Sequence, residues 1–275
     1  MAKQINFRGQ HQKELAKILR EVAERHTLWQ VFSDFLAMAA LSISNSMDKR
    51  QFDQREAEYM QIVGRYSKTE ANLIAHGLAH VVMGLEEGPQ DFLGSLFMSL
   101  ELGNAWAGQF FTPYEVSLMM AKMQLAGDEP KRIISNRGFI TVNDPCTGGG
   151  AMLIAAAHAL LDEGLNPFQH MHATAQDIDI KAVHMTYIQL SLLGVPAAVV
   201  HGNSLAVEQR SVWYTPAHFL GFWDNKLRRA GLADAARAPE PAALPAAAAL
   251  FIPSADAQAF NGEMPKRRAS QLDLF

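Results

Sequence analysis

Residues 139–150 read Phe-Ile-Thr-Val-Asn-Asp-Pro-Cys-Thr-Gly-Gly-Gly, and a helix-length, alanine-rich segment starts at Ala151. No other stretch limits the fold as much. An apolar run of strand length carries an Asp-Pro step, passes through three glycines and enters a helix at once. Glycine has no Cβ, so such a turn can bring bare backbone amides against a ligand at a helix N-terminus. The pattern predicts a parallel α/β unit that holds a nucleotide-like cofactor.

The segments downstream keep the alternation. Residues 172–179 read as a second strand, 180–193 as a buried helix with Gly194 at C′ and Pro196 just beyond, and 197–201 as a third strand leading into Gly202-Asn203-Ser204-Leu205. Upstream, Gly108-Gln109-Phe110-Phe111-Thr112-Pro113-Tyr114-Glu115 reads as a helix start. Thr112 is the expected cap, Pro113 takes N1, and Glu115 completes a capping box. Val116, Met119, Met120 and Met123 form the expected apolar stripe of that helix. A dinucleotide fingerprint fits the glycine turn only in part. Gly148 and Gly150 match G-x-G-x-x-G, but Leu153 takes the third place, and no acidic residue on a plausible second strand lies about 20 residues on.

These residues instead resemble the N6-adenine DNA methyltransferases, above all the modification subunit of type I restriction systems. Asp144-Pro145-Cys146-Thr147-Gly148-Gly149-Gly150 resembles that family's D-P-A-C-G-S/T-G motif. The resemblance implies a Rossmann-like core dependent on S-adenosylmethionine (SAM), with an all-helical N-terminal domain; the family's sheet has seven strands, and this sequence reads as a truncated version of it. It also implies cofactor-binding roles for Phe111, Thr112, Pro113, Asp144, Pro145, Cys146, Thr147, Gly148, Gly150, Asp177, Ile178, Asn203 and Ser204. In the family, the Thr-Pro helix start meets the amino-acid end of SAM. Asp177 stands where a carboxylate accepts the ribose hydroxyls and Ile178 where an apolar residue covers the adenine. Asn203 stands where an Asp or Asn contacts the adenine amino group.

The family does its chemistry at an [N/D/S]-P-P-[Y/F/W] tetrapeptide after the fourth strand, where the target base is flipped out and stacked. This sequence has none. Asn166-Pro167-Phe168 has one proline and falls between the first two strands, as a turn. In the expected place stand residues 211–219, either a short strand-to-helix turn with core aromatics or a degenerate active loop with Tyr214, Thr215, Pro216 and Phe219 as its working positions. Three functions therefore stay open, the first two being a DNA adenine methylase and a non-catalytic SAM-binding adaptor of DNA modification or replication. A third is a modification subunit completed by a second methylase or specificity chain.

From residue 236 onward the composition turns to alanine and proline, the mark of a linker or tail. It ends in Gln271-Leu272-Asp273-Leu274-Phe275, which resembles the pentapeptide that docks bacterial replication proteins on the sliding clamp. Three large apolar side chains at the tip of a flexible tail call for a partner to bury them. Each contributes about 1.5–3 kcal/mol on burial, offset in part by ordering the tail.

Residues 1–104 read as a helical domain, 105–235 as the α/β domain and 236–275 as the tail. In the first of these, 13–25 is amphipathic, with Leu15, Ile18, Leu19 and Val22 on one stripe. Segment 28–43 is too short and interrupted to span a membrane. Residues 52–63 and 69–85 follow, and Pro89 opens a further helix to residue 100. His76 and His80 have metal-pair spacing but no evident third ligand, so no metal site is expected. A single cysteine in 275 residues suits a reducing bacterial cytoplasm. The net charge of −4 leaves no broad phosphate-neutralising face. DNA contact is then expected to be local, near residues 226–229, on one helix over 220–230.

Overall fold

A computed structural model of the chain describes residues 7–100, 102 and 111–231. The chain divides into two units, Met1–Pro239 and Glu240–Phe275, and the second lies wholly outside the described residues. So do the boundaries expected at 104/105 and 235/236, Gly108 to Phe110 of the upstream motif, and the pentapeptide at 271–275.

Five helices come first: α1 (Gly9–Val22), α2 (Leu28–Met47), α3 (Phe52–Val63), α4 (Lys68–Glu86) and α5 (Phe92–Ser99). Local capping explains their starts. The Thr27 side chain accepts the Gln30 amide, Ser67 and Glu70 form a reciprocal capping box, and Asp91 accepts the Gly94 amide at 2.9 Å. Then come α6 (Tyr114–Leu125), α7 (Asp128–Arg137), β1 (Ile140–Asp144), α8 (Ala151–Asp162), the short α9 (Pro167–His170), β2 (Met171–Asp177), α10 (Ile180–Leu192), β3 (Ala197–His201), β4 (Ser211–Tyr214), α11 (Pro216–Leu220) and α12 (Trp223–Arg229). Asn166, expected in a turn, caps α9 through its side chain.

Among the described residues the sheet has the order β1-β2-β3-β4. The first three strands are parallel, and β4 runs antiparallel to β3. Ile140, Met171, Ala173, Ala175, Ala197, Val199 and Trp213 are buried on one face, in a core they share with Phe32, Phe35, Leu36, Leu93 and Leu96 of the helical region. On the other face Thr141 and Asn143 are exposed. His172, Ala198 and Val200 on that same face are buried, so the exposed positions there belong to the edge strand β1.

Arg55 of α3 fastens β4 to the helices. Its guanidinium donates to the Val212 carbonyl at 3.0 Å and to Ser44, and lies 3.9 Å from the Trp213 ring centre and 3.6 Å from Asp48. Burial pulls its pKa below the usual arginine value, while Asp48 pulls the other way.

Three expectations about helices need correction. The capping box at Thr112 does not form: Pro113 is the N-cap with extended ψ, and Glu115 instead takes two hydrogen bonds from Arg8, at 2.5 and 2.7 Å. The stripe of Val116, Met119, Met120 and Met123 is exposed, and Tyr114, Ser117 and Ala121 face inward. Polar anchors to α8 set that rotation, with the Tyr114 hydroxyl 2.8 Å from His158 Nδ1 and Lys122 2.7 Å from Asp162. Finally, residues 220–230 form no single helix. Phe222 adopts φ +52° and restarts the chain, which lets Trp223 bury completely against Phe139 and His172.

Candidate functional site

Three turns meet at the C-terminal edge of the parallel strands. The first, residues 145–150, follows β1. The Thr147 amide donates to the Gln176 carbonyl at 3.0 Å, and the Gly148 amide donates to Asp177 Oδ2 at 2.9 Å. The second follows β2, where Asp177 Oδ1 accepts the Asp179 amide at 2.9 Å. The third follows β3, where the Gly202 amide donates to the Asp177 carbonyl at 2.9 Å. Cys146 Sγ lies 3.9 Å from Ser204 Oγ, which joins the first turn to the third. Parallel strands end together on one edge, so motifs separated by dozens of residues become neighbours.

The glycines are needed chiefly for what the chain itself packs against them. A Cβ on Gly148 would lie 2.9 Å from the Phe111 ring, one on Gly149 3.0 Å from Asp91 and from the Gly94 backbone, and one on Gly150 3.0 Å from Thr186 Oγ1. Phe111 also stacks on Phe97, with ring centroids 5.3 Å apart. The amides of the turn are thus presented from a back wall of protein.

That wall contains residues the sequence reading passed over. Gln189, inside apolar α10, accepts the Leu93 amide at 2.9 Å and donates to Asp91 at 3.0 Å and to the Gly149 carbonyl at 2.7 Å. Thr186 donates to the Gly148 carbonyl at 3.0 Å. A glutamine on the buried stripe of a helix was the available signal, since buried amides find partners. Burial raises the pKa of Asp91 above the usual carboxylate value, against the lowering effect of its bonds from Gln189 and Gly94.

Asp144 faces the same region. Its pKa is raised first by burial and also by the nearby negative charge of Asp177, against the bond it accepts from the Cys146 amide at 3.1 Å. Two acids this close favour a cationic group between or beside them. Ile178 and Leu205 stand exposed on the second and third turns, as apolar surface for a flat ring. Asn203, expected to meet an adenine amino group, turns its Oδ1 to the Leu205 and Ala206 amides at 3.0 and 3.2 Å. Thr112 and Pro113 are exposed beside Phe111, just before α6.

Tyr214, Thr215, Pro216 and Phe219 are not brought to this edge. Because β4 is antiparallel, Ser211 pairs with His201 and Tyr214 pairs with Ala198, which carries the chain away from the turns. Thr215 Oγ1 accepts the Ala197 amide at 2.9 Å and donates to the Val195 carbonyl at 2.8 Å, closing the opposite end of β3. The length of β3 separates them from the turns, roughly 13 Å at the rise of a strand. The degenerate active loop expected at 214–219 is corrected accordingly, and its Thr-Pro step serves as a strand-to-helix junction.

Behind that junction His172 Nε2 lies 3.0 Å from His218 Nδ1, and His218 Nε2 lies 3.1 Å from Asp224. Burial pushes His172 down to about 3, with a further push from His218. At the helical end, His80 meets His11 at 3.2 Å, while His76 is exposed. Among the described residues no group of three His, Cys, Asp or Glu side chains is placed to hold a metal ion.

Residues 99–223 match the family model of N-6 DNA Methylase. Among solved structures, the chain is similar to a Listeria monocytogenes protein assigned to the class I SAM-dependent methyltransferases. The identity is 15%, the alignment covers 79% of this chain and 69% of that one, and the TM-score is 0.39. No curated protein matches the sequence. The family match implies methyltransferase chemistry with S-adenosylmethionine as the cofactor. No described helix is long and apolar enough to cross a membrane.

Proposed function

We propose that the chain binds S-adenosylmethionine across the three turns and serves adenine-N6 methylation of DNA. The observation that carries the proposal is the bond from the Gly148 amide to the Asp177 carboxylate, which fastens the first turn to the second. In this reading Gly148 and Gly150 let the first turn pack tightly on Phe111 and Thr186 beside the ligand, Asp177 retains free lone pairs for ribose hydroxyls, and Ile178 covers the adenine. Asp144 lies near the cationic end. Cys146, Thr147, Pro145, Asn203 and Ser204 shape the walls, and Phe111, Thr112 and Pro113 close the amino-acid end. The cofactor supplies an electrophilic methyl group, and the protein's own task is to position it and exclude water.

A group that activates the acceptor amine must then come from outside residues 214–219. One source is a second chain. Strand β1 bears the glycine turn yet lies at the edge of the described sheet, so a strand added there would run beside that turn. The alternative is a non-catalytic SAM-binding adaptor, and the placement of Thr215 at the far end of β3 favours it. Partners in either case are DNA and, through residues 271–275, the bacterial sliding clamp, in a cytoplasmic, nucleoid-associated setting.

One experiment separates these readings. The purified chain is titrated with SAM by calorimetry, then incubated with tritiated SAM and unmethylated DNA, with and without the clamp. Label in adenine supports the methylase, and SAM binding without label supports the adaptor or the two-chain enzyme. Absence of SAM binding overturns all three. Loss of clamp co-elution after deleting residues 271–275 tests the tail.

A further inference from the structure

Helix α12 carries Lys226, Arg228 and Arg229 in its last turn. Lys226 and Arg229, one turn apart, share a cavity of about 330 Å³ with Arg137, Phe139 and Gln169, and no carboxylate among the described residues lines it. Several other cations are neutralised locally, as in Lys131 with Glu163, Arg132 with Glu129 and Arg210 with Glu208. Two of the cations here are held differently. Arg137 donates to the Phe139 carbonyl at 3.1 Å and lies 4.9 Å from that ring, and Lys226 lies 4.3 Å from the Trp223 ring. Aromatic faces position their charges without cancelling them. In a chain of net charge −4, this concavity is a local positive field.

Phe222 adds a second observation. It stands one turn ahead of Lys226, is 71% exposed, and holds the left-handed backbone conformation that bulky residues avoid. An exposed aromatic followed by clustered cations is the arrangement that grips nucleic-acid strands, with bases on the ring and phosphates on the charges. Guanidinium forks match phosphate oxygens in pairs.

We infer that this cavity binds a phosphodiester group of a DNA strand through Arg137, Lys226 and Arg229, with Phe222 facing an adjacent base. The choice of DNA among polyanions rests on the function proposed above. Phe139 precedes β1 and the glycine turn follows it, so the cavity lies at the opposite edge of the sheet, roughly 13 Å from the cofactor turns. It is a second contact that sets how a strand lies on the protein.

The test uses the full chain and fluorescein-labelled DNA, single-stranded and duplex, in anisotropy titrations over a salt series. The variant R137Q/K226Q/R229Q is expected to lose on the order of tenfold in affinity and to lower the log K against log salt slope by about 2–3. F222A is expected to weaken single-stranded binding more than duplex binding. A charge-matched control on exposed helical positions, K13Q/K17Q/K68Q, is expected to change the slope far less. Equal losses in the variant and the control overturn the site, as does no loss in the variant. Competition by inorganic phosphate at matched ionic strength, with DNA affinity unchanged in the variant, overturns it in favour of a free-anion pocket. SAM calorimetry on the same proteins separates the two proposals. A chain that binds SAM but shows an unmoved slope sinks this site alone, whereas a lowered slope without SAM binding sinks the cofactor reading alone.

Discussion

The carboxylate of Asp177 accepts the Gly148 amide at 2.9 Å through one oxygen and the Asp179 amide at 2.9 Å through the other. One side chain at the end of β2 therefore shapes both its own turn and the glycine turn after β1. Hydrogen bonds to a charged acceptor contribute about 1.5–3 kcal/mol each. Asp177→Ala is expected to weaken SAM binding at least roughly tenfold, since it removes the ligand acceptor and loosens the turn. Calorimetry showing unchanged affinity would mean that the cofactor lies elsewhere.

Asp91 is buried behind the glycine turn, and burial raises its pKa. The sign follows directly. A carboxyl whose folded pKa exceeds its unfolded value of about 3.9 stabilises the fold below that value, and the contribution is lost as pH rises through the folded pKa. Asp91→Asn keeps the acceptor oxygen for Gly94 and Gln189 and removes the buried charge. Urea unfolding is expected to show the variant equal to or more stable than the native chain at pH 7, with the advantage vanishing near pH 4. A constant difference across that range would contradict the assignment.

Gln189→Leu keeps volume but removes all three bonds to Leu93, Asp91 and Gly149. Leaving buried polar groups unpaired costs about 1–3 kcal/mol each. A fall in stability of several kcal/mol by urea titration is expected, together with weaker SAM binding in the fraction that folds. Full stability would show that the wall behind the turn is dispensable.

Thr215→Val separates a structural role from a catalytic one. It strips two hydrogen bonds at the start of β3, which is expected to lower stability by about 1–3 kcal/mol. SAM affinity is expected to stay within experimental error, because Thr215 is a strand length from the turns. A selective loss of cofactor binding in an otherwise stable variant would restore this loop to the site.

Burial pushes both His172 and His184 down to about 3, with smaller pushes from His218 on the first and from His201, Arg55 and Lys181, opposed by Asp179, on the second. Between about pH 6.5 and the folded value the unfolded chain binds the extra protons, so stability falls as pH falls, by about 1.4 kcal/mol per unit for each histidine. His184 Nε2 is buried without a hydrogen-bond partner among the described residues, so His184→Leu forfeits little at neutral pH. The variant is expected to show a shallower acid limb in urea melts. An unaltered limb would place the titration on other groups.

Much of the local structure was legible from residue order. Helix 52–63 and strand 197–201 appear as read, and α10 ends one residue short of its expected bound. Periodicity, caps and glycine punctuation act within a few residues, so they can be read without the fold. The rotation of α6 could not be read in this way. Four apolar residues at helical spacing pointed one way, and Tyr114 and Lys122, bonded across to α8, turned the helix the other. The break at Phe222 was hidden for the same reason, since it depends on the space that Trp223 fills next to Phe139.

The sequence alone determined that strand, turn and helix would alternate from Ile140 to His201, because each unit is encoded by contiguous residues. Strand direction came from tertiary structure. Whether β4 runs parallel or antiparallel decides which edge Thr215 occupies, and the deciding contacts are distant ones, from Arg55 and Gln51 to Val212 and from Arg55 to Trp213. Pairings over such separations depend on which surfaces remain to be buried once the helices have packed, and no short window of sequence carries that information.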